Sequence, residues 1–447
     1  MPGTRRSTGC LLCVQRRVKC DEKLPGCTRC ETYGRKCPGY DRGFKFVTAK
    51  PYRTPRRPKP RNSLPENATT SLTCMRSTEL NVMQSLDVLI DDLMSPFPAS
   101  ATYSMAQWFS FLPVAYGRNK TLDATVRCFV AHHLGGLGKN VQAVRYARFA
   151  YGEALGRLQM SLNNPTESVA TEVLCAVLLQ CFYELFTNTD DSVSWMKHAK
   201  GLGQLIKHRG SARHHDEFDC SLLKASRGLI IMHSVFSGEE CFLASEDWHS
   251  AMRQQFNTCR PPEIYDQVEE LFVSFTAIPR LIHQMFELKQ ADMTSPATQD
   301  KVSSTVAETL VMHASLTAWY DRFIQVVLPP SEVPSSTGDA LFPTVFSFSS
   351  IDAASIFCGY YSFMVVVHEV LHTCGCPGNQ LAHVVYFRDQ ICKSVEYTSR
   401  GLLGPSRLGF PLRVAYEVAD PVTRSWIEGW LLTLSKRYAA VLPKNFQ

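Results

Sequence analysis

Six of the chain's 17 cysteines fall at positions 10, 13, 20, 27, 30 and 37, while the other 419 of its 447 residues hold 11. A segment this short has no room for a hydrophobic core. Whatever folds it must therefore involve the thiols. The order is CxxC, six residues, Cys, six residues, CxxC, six residues, Cys, and the second half repeats the first at an offset of 17. A CxxC pair lets two thiolates approach one ion, and the third cysteine reaches the same centre one short helix later. Tetrahedral zinc takes four ligands, so one triad leaves it a ligand short. Two ions need eight bonds and six thiolates supply six, so two cysteines must bridge. The pseudo-symmetry assigns that role to Cys10 and Cys27, with Cys13, Cys20, Cys30 and Cys37 as terminal ligands. The expectation is a centre of two Zn²⁺ per chain.

The competing use of clustered cysteines is a disulfide framework, which needs an oxidising compartment. The N-terminal MPGTRRSTGC is charged and polar with no apolar stretch behind it, unlike a signal peptide. The longest uncharged apolar-rich run, residues 353–367, falls short of the roughly 18 residues of a membrane span. These features predict an intracellular protein with no membrane partner and with metal-bound thiols.

Charge argues independently for a polyanionic partner. Residues 1–62 carry 17 Lys and Arg against four acids, a net of +13, and the remainder carries a net of −7. Such polarisation marks the head as a nucleic-acid-binding surface. Arg16, Arg17 and Lys19 lie together in the VQRRVK interval between the second and third cysteines, and an arginine fork suits guanine O6 and N7.

The stretch resembles the Zn2Cys6 binuclear cluster domain of fungal transcription factors. That family shares the cysteine spacing, basic residues between the second and third cysteines, a loop proline (here Pro25) and a closing KCPGY-like sequence. The resemblance implies that Cys10 and Cys27 bridge the metals, that a short helix after Cys13 enters the major groove, and that the head reads a CGG-type triplet. It also implies Arg17 as the base-reading residue, with Arg16 and Lys19 as phosphate partners. Val14 and Gln15 depart from the family, which often has basic residues there.

Beyond the cysteines, residues 43–62 carry prolines at 51, 55, 58 and 60, which exclude a continuous helix. We read 43–77 as a basic linker in which PRRPKPR could serve as a nuclear localisation signal. Leu80, Met83, Leu86, Leu89 and Leu93 span barely two heptads, too few for a coiled coil, and suit the first helix of a domain beyond the linker. From about residue 78 the pattern is helical. Val169, Val173, Leu174, Val177, Leu178, Cys181 and Leu185 trace one stripe; Val302, Val306, Leu310, His313, Thr317, Tyr320, Ile324 and Val327 trace another. The proline-rich stretch 328–343 reads as an exposed loop. The expected organisation is a Zn2Cys6 module over 1–42, a linker over 43–77, and a large all-α regulatory domain of ten or more helices over 78–447. Within the last, YGEALGRLQMSL (151–162), the series Trp195, His198, Gly201, Leu205, Arg209, Gly210, and FPLRVAYEV (410–418) followed by Trp426 resemble the second type of fungal-specific transcription factor domain. Trp195, His198, Leu202 and Leu205 share a helical face, and Gly210 fits a C-cap.

One constellation points elsewhere. His368, Glu369 and His372 spell HEVLH, in which two histidines a turn apart bind zinc beside a glutamate base. Gly378 stands where an extended version of the motif would place its third ligand, leaving only the distant Glu396. The sequence is accordingly read as no enzyme but a nuclear, DNA-binding regulator of RNA polymerase II genes. It would read CGG-type half-sites, bind as a homodimer, recruit coactivators and activate a metabolic pathway, with secondary metabolism in view. A zinc hydrolase built on HEVLH and a non-DNA-reading interaction protein are the alternatives.

Overall fold

The computed structural model describes residues 10–21, 23, 26–38, 82–94, 107–138, 140–187, 194–254 and 262–445. The chain divides into two units, Met1–Ala68 and Thr69–Gln447. The expected linker and Leu80 lie outside the described residues.

In the first unit two five-residue helices, α1 (Leu11–Gln15) and α2 (Thr28–Thr32), are the ordered elements among the described residues. The buried apolar-type side chains described there are cysteines, Cys10, Cys13, Cys27 and Cys30, as expected of a segment without a core.

The second unit is built on two helices that are apolar around most of their circumference. The first is α7 (Thr171–Thr187). It packs against α5 (Lys120–Leu137) and α8 (Ser194–Arg209), while α5 is bracketed by α3 (Val82–Met94) and α6 (Val141–Leu162). Helix α3 buries Val82, Leu86, Leu89 and Leu93 and leaves Met83 exposed, so its apolar stripe is spent inside the fold. The short α4 (Leu112–Ala115) lies between α3 and α5 in the chain. Asn119 and Asn140 cap α5 and α6 by accepting from the second and third amides of each helix. Gly210, at φ +79°, ends α8 as its place in the sequence suggests.

The second core helix is α14 (Ile351–Thr373), surrounded by α12 (Ile278–Gln290), α13 (Pro296–Val326), α15 (Gln380–Thr398) and α16 (Gly404–Glu417). Helices α9 (Glu217–Ser237), α10 (Glu246–Arg253) and α11 (Pro262–Phe275) run between the two regions, and α17 (Pro421–Leu434) packs on α16. Leu229, Phe186 and Phe275 touch both cores. Phe275 seats tightly on α14 because residue 359 is glycine: a Cβ there would stand 2.9 Å from its ring.

Three expectations are corrected. Helix α13 buries Thr305, Thr309, Leu316, Trp319 and Phe323, a stripe rotated from the one read from sequence, and Leu310 is exposed. The two large aromatics outweigh the β-branched residues in choosing the face. The stretch 328–343 is not simply an exposed loop: β1 (Ser331–Pro334) pairs antiparallel with β2 (Thr344–Ser347), Ser331 opposite Ser347. Strand β2 buries Val345 and Phe346, and the connection is pinned by Glu396, which accepts from the Ser335 hydroxyl at 2.9 Å and the Ser336 amide at 3.0 Å. Finally, the apolar run at 353–367 extends into a 23-residue helix, long and apolar enough to cross a membrane, yet 89% of its most apolar window is buried in the protein. Its length serves the core.

Candidate metal centre and nucleic-acid interface

The sequence repeat at offset 17 is also a structural repeat. The Cys13 amide donates to Cys10 Sγ at 3.4 Å, and the Cys30 amide donates to Cys27 Sγ at 3.3 Å. Each leading cysteine thus caps its own helix with sulfur. Past the helices, Val18 N–H donates to Cys13 O at 3.0 Å and Arg35 N–H to Cys30 O at 3.2 Å. The turning residues are again equivalent, Arg17 at φ +55° and Gly34 at φ +70°. Asp21 steadies the second half by accepting from the Thr28 amide at 3.2 Å.

These turns bring all six cysteines together. Their sulfurs form two sets of four, each lying within 4.8 Å of one another: Cys10, Cys13, Cys20, Cys27, and Cys10, Cys27, Cys30, Cys37. The shared members are Cys10 and Cys27, the pair that ligand counting selects. Sulfur separations are 3.7 Å for Cys10–Cys27, 3.5 Å for Cys10–Cys30, 3.6 Å for Cys13–Cys27 and 3.9 Å for Cys27–Cys37. A disulfide would need about 2.05 Å. A tetrahedral zinc with Zn–S near 2.3 Å sets its sulfurs about 3.8 Å apart. The set fits zinc. Without a cation burial favours the neutral thiol: desolvation, aided by hydrogen bonds with Cys10, Cys27 and Cys20, pushes Cys13 up to about 12, and desolvation also raises Cys27 and Cys30. A divalent cation reverses that balance by stabilising thiolate.

The basic residues are placed differently from expectation. Helix α1 starts before Cys13 and stops at Gln15, so Arg16, Arg17 and Lys19 come after it rather than project from it. Arg17 in the left-handed region is what terminates it. Arg17 and Lys19 are exposed. Arg16 is half-buried, its guanidinium 3.4 Å from the centroid of the Tyr33 ring. Positions 16 and 33 are themselves equivalents in the repeat, so the cation–π contact ties the two halves together beside the sulfurs. Tyr33 and Asp21 were missed in the sequence; the offset of 17 was the available signal for Tyr33.

The HEVLH residues are engaged elsewhere. His368 is buried, its Nδ1 donating to Gln380 Oε1 at 2.8 Å, with its ring stacked on His383 at 4.6 Å. Glu369 accepts from Lys289 Nζ at 2.8 Å, and His372 is exposed. Glu396 holds the hairpin connection. Among the described residues, the groups able to surround a metal are the two cysteine sets.

Comparison with known proteins shows the same division. Residues 8–45 match the fungal Zn(2)-Cys(6) binuclear cluster domain, and residues 86–304 match the fungal specific transcription factor domain. The chain belongs to the fungal zinc-cluster transcription factors. Over 36 residues the chain is 58% identical to the aspercryptin biosynthesis cluster-specific transcription regulator atnN of Emericella nidulans, covering 8% of this chain and 6% of that one. It is 53% identical over 36 residues to white-opaque regulator 2 of Candida albicans, covering 8% of each. An uncharacterized protein of Emericella nidulans is 26% identical over 239 residues, 50% of this chain and 51% of its own. The chain thus spans about half the length of that relative and under a tenth of the other two in the matched regions. No solved structure matches it.

Proposed function

We propose that this zinc-cluster protein is a nuclear, sequence-specific DNA-binding regulator of RNA polymerase II genes whose six cysteines hold two Zn²⁺, Cys10 and Cys27 bridging. The observation that carries the reading is the pair of sulfur tetrads sharing those two residues inside a head of net charge +13. Zinc would cross-link a segment with no other core, and metal binding in comparable modules contributes about 10–16 kcal/mol. Arg17 and Lys19 present their charge to solvent beside the centre, and Arg16 is held by Tyr33 at the same edge. We assign base reading on CGG-type half-sites to Arg17 and phosphate contacts to Arg16 and Lys19. Arg17 is the non-glycine residue with positive φ among those described, at a site whose repeat partner is glycine. Strain kept where glycine would relieve it points to function.

One cluster reads about three base pairs, so useful specificity calls for paired heads, and a homodimer follows. The helical unit would present surface to coactivators, making the protein an activator. A secondary-metabolite pathway is favoured by the likeness of 36 residues to a regulator named for a biosynthesis cluster. No catalytic role is assigned, because each HEVLH side chain is either engaged in packing or exposed alone. A gel shift of the full chain on CGG-containing duplexes tests the reading. Binding should disappear with a chelator and with Arg17→Ala; binding that persists unchanged in either condition would overturn it.

A further inference from the structure

Helix α6 turns Ala147, Ala150, Ala154 and Leu158 inward, where it packs on α5. Its opposite face carries apolar side chains in solvent: Phe149 is 70% exposed, Met160 65% and Leu155 37%. Between them lie Gly152 and Gly156, both exposed and one turn apart on the same face. Glycine inside a helix is less stable than alanine. The fold of a single chain does not call for either one, since a Cβ at 152 or 156 would meet nothing within 4 Å. Glycine at these positions serves a second backbone that approaches closely.

The pattern of the face identifies that second backbone. Its residues are symmetric about a point between 154 and 155: Phe149 mirrors Met160, Gly152 mirrors Gly156, and Glu153 mirrors Arg157, with Leu155 beside the centre. A two-fold axis through that point lays a second α6 antiparallel on the first. Phe149 then meets Met160 of the second copy, the glycines let the backbones close, and Leu155 meets its own counterpart. Glu153 and Arg157 share one flank, being paired at 2.8 Å within the helix, and the axis brings each of them to the opposite charge of the second copy. Arg145 and Arg148 fall opposite Asn164 and Ser161, so the helix pair sets no like charges against each other.

We propose that α6 is the self-association face of this chain, pairing antiparallel with α6 of a second copy through Phe149, Gly152, Leu155, Gly156 and Met160, flanked by Glu153–Arg157 ion pairs between the copies. The inference rests on the homodimer of the proposed function and supplies its contact; the apolar stripe of α3 cannot serve, being buried within the fold. One helix pair is small beside a standard interface, so association falls in the micromolar range.

Sedimentation equilibrium of the zinc-loaded full chain without DNA tests this. The native chain should pass from monomer to dimer across the micromolar range. Arg17→Ala should do the same, so that failure of base reading and failure of this contact are separate results. Gly156→Leu should weaken association about tenfold while the unfolding midpoint of the dilute monomer is kept or raised. Glu153→Arg and Arg157→Glu should each weaken association about tenfold by setting like charges against each other. An equimolar mixture of those two variants should recover it, because each then offers the charge the other lacks. A chain monomeric throughout that range, a Gly156→Leu chain that dimerises as before, or a mixture no better associated than its components would each overturn the proposal.

Discussion

Arg17 adopts a left-handed backbone that Gly34, its counterpart in the repeat, reaches without a Cβ. For a non-glycine residue this costs about 1 kcal/mol. Arg17→Gly should therefore raise the resistance of the zinc-loaded head to urea by about that amount and leave its metal content unchanged, while CGG-duplex binding is lost in gel shifts. A variant that is less stable, or that still binds, would separate the strain from the reading. His214 shows the opposite economy, a titratable group kept neutral. It is fully buried, its Nδ1 lies 3.2 Å from the Asp219 carbonyl, and burial pushes its pKa down to about 4. The unfolded chain, with an ordinary histidine near 6.5, binds a proton between those values that the fold does not, so stability rises with pH across that window and is lost on acidification. Burial lowers His132, His198, His249, His313 and His368 in the same direction. Thermal unfolding followed from pH 6.5 to 4 should show a steadily falling midpoint. His214→Gln should flatten the stability slope by up to about 1.4 kcal/mol per pH unit, the value of one proton.

At the scale of elements, what could be read in advance depends on how local each determinant is. The α7 stripe was legible because Val173, Leu174, Val177, Leu178, Cys181 and Leu185 are all buried on a helix that neighbours cover nearly all round. On α13 only one face is covered, and several apolar residues compete for it. Sequence spacing chose Leu310 and Val306, whereas packing chose Leu316, Trp319 and Phe323. Leu316→Ala should lower stability by roughly 2–5 kcal/mol, as for other fully buried leucines. Leu310→Ala, at an exposed position, should stay within about 0.5 kcal/mol. Comparing the two by denaturant titration fixes which face of the helix is inside. The β1–β2 hairpin was illegible for a different reason. Its strands are four residues each, β1 is wholly exposed, and its anchor, Glu396, lies about sixty positions away on α15.

For the whole molecule, the two units differ in where their information lies. The head is written locally: cysteine spacing, ligand count and the repeat at 17 select Cys10 and Cys27 as shared sulfurs, and the structure groups the sulfurs in that way. Helix-end geometry was not legible, because the left-handed Arg17 shortens α1 and moves the basic residues beyond it. The helical unit lines one of its cavities with residues as far apart as Trp195 and Arg413, which no spacing rule connects. HEVLH shows the converse, a local pattern whose side chains the fold commits to Gln380 and Lys289. These two readings of zinc chemistry differ in a quantity that can be counted. The most direct measurement is the zinc content per chain of the purified full-length protein by plasma mass spectrometry, alongside Cys10→Ser/Cys27→Ser. Two ions should be found, and both should be lost from the double variant. A single ion, or a further ion that survives the substitutions, would contradict the binuclear cysteine centre as the protein's zinc site.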